Sequence, residues 1–200
     1  MTRVRTPIIF LALFLALSFA FSGRDARAAN QGQSSGMPQI GGPFQLVDQN
    51  RRPVDQRLLN GKWSAVFFGY TFCPDVCPTT LTVLGRAQSM LGPRANAFQV
   101  VFISLDPGRD TPAQLKAYLS TPVFPRGTIG LTGAPAQIKQ AANAYKVFYQ
   151  KHGSGQGYTV DHTSAIYLMD PQGNFAKVFT ESLSPGEIAH QISDAMAGKR

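Results

Sequence analysis

Cysteine is almost absent from this chain. Its 200 residues hold two, Cys73 and Cys77, both in the run Gly69-Tyr70-Thr71-Phe72-Cys73-Pro74-Asp75-Val76-Cys77-Pro78. A framework of several disulfides is therefore excluded. Charge is also sparse, at 15% of residues, and the basic side chains are scattered. Without a cationic stripe interleaved with aromatics, nucleic acid is not the expected partner. No internal repeat or sustained heptad pattern is visible, which argues against solenoids and coiled coils. No apolar run reaches the roughly 20 residues that a membrane-spanning helix needs.

The longest apolar run is Ile8 to Phe21, broken only by Ser18. Arg3 and Arg5 precede it, and Ala26-Arg27-Ala28 follows as a small-x-small cleavage pattern. These are the parts of a secretory signal, expected over residues 1–28, with a retained N-terminal anchor as the alternative. Cleavage lowers the formal charge from +8 to +5, with 15 basic residues against 10 acidic ones. Residues 29–41, rich in Gln, Gly, Ser and Asn, read as a flexible linker. Residues 42–197 are long enough for one domain with a sizeable core, expected to be monomeric.

Trp63 to Gly69 is a nearly continuous apolar run and suggests a central strand buried on both faces. It leads directly into the cysteine loop. Beyond Cys77, Leu81, Leu84, Ala87, Gln88 and Leu91 recur at helical spacing until Gly92-Pro93. Pro78 suits the first helical position, which would put Cys77 at or beside the N-cap. Phe98 to Ser104 is a second strand, and Thr111-Pro112 opens another helix. Ala134 to Tyr145 is a third helix. A hairpin is expected from Lys146–Tyr149 and Tyr158–Val160 around a Gly-rich loop. Thr163–Met169 and Phe175–Phe179 are strands joined by an x-Pro-x-Gly turn. Ser184 and Glu187 form a capping-box pattern at the start of a last helix. The sum is an α/β domain with a mixed central β-sheet flanked by helices, and an inserted hairpin before the His162 strand. The cysteines fall at the carboxyl end of the first central strand, where such sheets place their sites.

Thiols between a strand and a helix N-terminus have the arrangement of thioredoxin-like redox centres, although the usual spacing there is C-x-x-C. Here one more residue widens the bite between the sulfurs. A disulfide as a mere staple would close a loop of five residues, and so contributes only about 2 kcal/mol. Exposure favours Cys73 as an attacking thiol, whereas the helix dipole favours Cys77 as the more acidic one. His162, in Val160-Asp161-His162-Thr163, is a candidate third ligand. Two Cys and one His do not complete a structural zinc site, but they suit Cu(I), and with a further ligand Cu(II). Asp75 and Asp161 are candidates for a weak extra ligand or a supporting hydrogen bond. His152 and His190 read as solvated. The methionines Met37, Met90, Met169 and Met196 are dispersed and make no copper-binding tract. Asp106, Arg109 and Asp110 allow an acid/base pair, or turn and helix-cap chemistry that shapes a loop.

The cysteine run, together with Phe102-Ile103-Ser104-Leu105-Asp106-Pro107-Gly108-Arg109-Asp110-Thr111-Pro112, Tyr145-Lys146-Val147-Phe148-Tyr149 and Val160-Asp161-His162-Thr163, resembles the signatures of the Sco/SenC family in their order. The resemblance implies a thioredoxin-like fold and copper bound by Cys73, Cys77 and His162. It implies a periplasmic metallochaperone that delivers copper to the binuclear centre of cytochrome c oxidase subunit II, close to the membrane or tethered to it. It also implies an alternative: Cys73 and Cys77 as a redox-active pair that reduces that subunit or another periplasmic copper protein.

Overall fold

The computed structural model describes residues 39–155 and 157–199. The expected signal segment, and residues 29–38 of the expected linker, lie outside them. Strands and helices follow in the order β1 (Gln45–Asp48), β2 (Pro53–Asp55), β3 (Trp63–Gly69), α1 (Val76–Met90), β4 (Phe98–Ser104), α2 (Pro112–Leu119), β5 (Ile129–Thr132), α3 (Pro135–Ala144), β6 (Tyr149–His152), β7 (Thr159–His162), β8 (Ile166–Met169), β9 (Phe175–Phe179) and α4 (Pro185–Met196). Among the described residues no helix is long and apolar enough to cross a membrane.

Seven strands form one sheet in the order β2-β1-β5-β4-β3-β8-β9, and β6 and β7 form a separate two-stranded ribbon. β3, β4 and β5 run parallel, while β1, β8 and β9 enter antiparallel to their neighbours. The continuous apolar runs are the central strands: Ala65 to Phe68 and Val100 to Ile103 are fully buried, as expected of strands covered on both faces. α1 packs beside α4, α2 lies against β5 and α3 against β1. This is a thioredoxin-like α/β fold with a mixed sheet.

Register explains where the site forms. Gly69 at the end of β3 pairs with Ser104 at the end of β4, so the loops that follow both strands leave the sheet at one edge. β8 runs the other way, with Ile166 opposite Phe67, so the segment that precedes β8 arrives at this same edge. That segment carries His162.

Several local expectations shift. β5 is a short strand that periodicity does not reveal. It contains Gly130, where a Cβ would stand 2.5 Å from a Leu119 methyl, so α2 can approach only because the side chain is missing. β2 likewise adds a three-residue edge strand. The first strand of the hairpin sits three residues later than expected and the second one to two later, and His162 is the last residue of the second strand, not the beginning of a new one. Thr163 to Ala165 form a connection instead. α3 causes that shift: Val147 N–H donates to Ala142 O and Lys146 N–H to Asn143 O, with Lys146 left-handed at φ 58°. This paired C-terminal closure, usually built on glycine, uses residues 145–147 to end the helix. The caps of α2 and α4 are as expected. Thr111 Oγ1 accepts from Gln114 N at 3.2 Å, and Ser184 and Glu187 bond reciprocally.

Candidate metal centre

α1 begins at Val76, so Cys77 is its second residue and Pro78 its third, two residues deeper than expected. Cys77 points inward and is fully buried. Gly69 makes room for it: a Cβ there would lie 2.7 Å from the Cys77 sulfur and 2.9 Å from the Phe102 ring. Cys73 stays half-buried in the loop before the helix. It faces a groove of about 390 Å³ whose lining includes Tyr70, Pro74, Val160 and His162.

The contact between the two sulfurs sets which thiol is acidic, and the N–H groups at the helix N-terminus add to it. Cys77 N–H points at the Cys73 sulfur, 3.4 Å away. The Cys77 thiol also donates to it, the largest cause of a Cys73 pKa well below the ordinary thiol range; burial opposes this, and His162 and the N–H groups of Cys77 and Asp75 add to it. For the same reason Cys77 is pushed far up, first by its bond to Cys73, then by burial and by the Cys73 charge. The expectation that the helix end would make Cys77 the more acidic thiol is therefore reversed: the amides serve the residue that precedes the helix. Both cysteines are free thiols.

β7 delivers His162 to the pair. Its Nε2 stands 3.4 Å from the Cys77 sulfur, and one donor atom from each of Cys73, Cys77 and His162 lies within 4.8 Å of the others. Nδ1 is 3.0 Å from Thr163 O. A carbonyl only accepts, so Nδ1 carries a proton, and in the neutral ring the Nε2 lone pair is aimed at the sulfurs. Tyr70 and Phe67 hold the ring edge-on, with centroids 6.1 and 6.3 Å away. Burial would lower the His162 pKa, but the Cys73 thiolate and the Thr163 carbonyl outweigh it and raise it. The metal-free centre thus sets an acidic Cys73 beside a His162 made more basic. Two soft sulfurs and one imidazole nitrogen, two of them reachable from a groove, fit a low-coordinate copper ion.

The two carboxylates named as extra ligands do not join the centre. Asp75 accepts from Thr79 Oγ1 at 3.3 Å, and only its backbone N–H serves Cys73. Asp161 is exposed and pairs with His152 at 3.1 Å. His190 pairs with Asp194 on α4.

The Ser104–Thr111 segment resolves as loop-shaping chemistry. Buried Asp110 accepts from Thr71 N at 3.0 Å, Thr71 Oγ1 at 2.6 Å and Ser104 Oγ at 2.6 Å. Its carboxyl pKa is raised by burial, against those hydrogen bonds. Arg109 pairs with Asp106, and Tyr158 OH donates to Asp106 Oδ1 at 2.5 Å. Tyr158 escapes sequence reading because 52 residues separate it from Asp106. The one available signal is its position at the foot of the strand that ends in His162.

A family model described as SCO1/SenC matches residues 32–197. Mitochondrial SCO1 of Saccharomyces cerevisiae is 39% identical over 176 residues, covering 84% of this chain and 59% of that protein. SCO1 homolog 1 of Arabidopsis thaliana is 38% identical, covering 82% of this chain and 51% of that protein. This chain therefore matches about half to three-fifths of those mitochondrial relatives. SenC of Rhodobacter capsulatus is 39% identical, covering 82% of this chain and 74% of that protein. Among solved structures, copper-bound ScoI of Bradyrhizobium japonicum superposes with a TM-score of 0.71 at 45% identity, covering 77% of this chain and 98% of that one. Copper-bound yeast Sco1 gives 0.75 at 35% identity, covering 82% and 91%.

Proposed function

We propose a function from one premise: the chain belongs to the SCO1/SenC family. On this reading it is an exported metallochaperone whose cargo is copper, held by Cys73, Cys77 and His162. The recipient is the binuclear copper centre of cytochrome c oxidase subunit II, assembled at the outer face of the membrane. The observation that carries the reading is the His162 lone pair set toward two sulfurs from a strand remote in sequence. A dithiol reductase has no need of that imidazole. Copper-bound relatives of the same fold support the choice of metal.

The residues divide the work. Cys73 and His162 line the groove, whereas Cys77 is sealed beneath them. A partner thiolate entering the groove meets the cargo on the Cys73 and His162 side. Each new metal–sulfur bond it makes lets one of those ligands go. The acidic Cys73 is ready to bind without first losing a proton at neutral pH. Titration of the reduced protein with copper tests the reading: one equivalent, with a thiolate-to-Cu(II) charge-transfer band that needs His162, is the expected result. Binding at wild-type strength without His162 would overturn it.

A second reading is favoured by the unequal thiols. In thiol–disulfide exchange, the Cys73 thiolate attacks a partner disulfide and forms a mixed disulfide, releasing one partner thiolate. Cys77 loses its proton and attacks the Cys73 sulfur, releasing the second. Two electrons pass to the partner, and Cys73–Cys77 remains as a disulfide. Loss of the Cys73 negative charge in the mixed disulfide removes what holds the Cys77 proton in place. If Cys73→Ser still supports oxidase assembly, this exchange is not the essential activity.

A further inference from the structure

The Ser104–Thr111 loop grips both halves of the donor set, with different side chains. Toward the cysteines, Asp110 fixes the backbone and hydroxyl of Thr71, two residues before Cys73. Toward the histidine, the grip is on Tyr158, just ahead of β7. Its hydroxyl donates to Asp106, and Arg109 Nη1 donates to its carbonyl at 3.1 Å. The Arg109 guanidinium lies 3.5 Å from the Tyr158 ring centroid, and Lys151 Nζ, reaching from β6, lies 3.4 Å from it. Asp106 and Arg109 are themselves paired and almost fully buried.

The β6–β7 ribbon belongs to no larger sheet among the described residues. A two-stranded hairpin in water is marginal by itself. At one end of the ribbon the two arms are joined to each other by the bonds between Phe148 and Thr163, and Val160 of β7 is buried in the core. The other end carries the Gly-rich turn and is tied through Tyr158. His162 rides on this ribbon, whereas the cysteines are set by β3 and α1. The distance between imidazole and sulfurs therefore depends on the ribbon staying down.

We propose that Tyr158 is a positioning residue for the copper centre: its clasp on Asp106 and Arg109 holds the β6–β7 ribbon so that His162 meets the two sulfurs. Release of the clasp withdraws the imidazole and leaves the dithiol behind. The inference rests on the copper reading for its purpose, but not for its geometry.

The test compares Tyr158→Phe, which keeps the ring, with Tyr158→Leu, which loses it, in the full chain. In the reduced metal-free protein, amide hydrogen exchange across β6 and β7 quickens in both variants, more in Tyr158→Leu, while β3 and β4 stay protected. Copper affinity, read by competition with a chelator, falls about 10-fold in Tyr158→Phe, at the low end of the range for residues that orient a ligand. In a His162→Ala background the same substitution has no further effect on affinity. Unchanged ribbon exchange overturns the clasp. An equal loss of affinity with and without His162 overturns its action through that residue. If the wild-type protein takes up no copper, the metallochaperone reading fails, and ribbon exchange together with the His162 ring resonances in the metal-free protein still decides whether Tyr158 holds the imidazole.

Discussion

His162 Nε2 lies 3.4 Å from the Cys77 sulfur, although 85 residues separate the two in the chain. The contact exists because β8 runs antiparallel to β3 and brings its leading segment to the edge where β3 ends. Its sense is fixed by Thr163 O, which engages Nδ1 and turns the other nitrogen inward.

Removal of this imidazole separates the two activities the thiols could serve. His162→Ala is expected to weaken copper binding by at least about 100-fold, the upper end of what losing a supporting residue alone costs. Oxidation of Cys73 and Cys77 to a disulfide stays possible in this variant. Chelator competition and a thiol assay on one sample check both halves.

The two thiols are expected to react in sequence. At about pH 6, more than two units below the ordinary thiol pKa of about 8.5, the metal-free protein holds one thiolate, on Cys73. Iodoacetamide then labels Cys73 rapidly and leaves Cys77 unmodified, as peptide mass mapping would show. Cys73→Ser abolishes the fast phase, and Cys77→Ala slows it, since the donor that is the largest single cause of Cys73 acidity is gone.

Stability of the reduced metal-free protein is expected to follow the same charge. The folded pKa of Cys73 is lowered, so its contribution is complete above the unfolded thiol value of about 8.5 and is lost as pH falls toward the folded one. The melting-temperature gap between wild type and Cys73→Ser therefore widens from about pH 4 to about pH 8. Above that range Cys77, with its raised pKa, works in the opposite sense: its contribution is lost as pH climbs past the unfolded value. A gap that narrows between pH 4 and pH 8 would contradict this assignment.

Gly69→Ala probes the space reserved for the Cys77 sulfur. The added methyl would meet both that sulfur and the Phe102 ring at under 3 Å. Overpacking of a tight core costs about 1–3 kcal/mol, which denaturant unfolding would read. Because the displaced atom is a donor, the copper spectrum should change with it, unlike that of a core substitution elsewhere.

The parts written in local pattern were legible. Trp63–Gly69 and Phe98–Ser104 are continuous apolar strands, α2 and α4 open at their expected capping residues, and four short motifs mark the site. What was hidden depends on packing between distant segments. β5 is short and interrupted by Gly130, so its strand character comes from its neighbours. The reversal of thiol acidity follows mainly from the bond that the buried Cys77 thiol donates to Cys73, with the amides at the start of α1 adding to it. The Tyr158 clasp joins a loop to a hairpin, and neither residue type nor spacing announces it.

The division of the donor set between two ends of the chain has a consequence for how the protein matures. The two thiols lie on β3 and α1 and become neighbours as soon as that strand–turn–helix forms. The imidazole joins them only when the second half has added its strands, with β8 paired to β3 and the ribbon clasped. A chain folded only through α1 offers a dithiol and nothing more. On the proposed copper reading, capture of the ion by three ligands thus serves as an inspection of the fold, since all three meet only in a molecule whose β8 is paired and whose ribbon is in place.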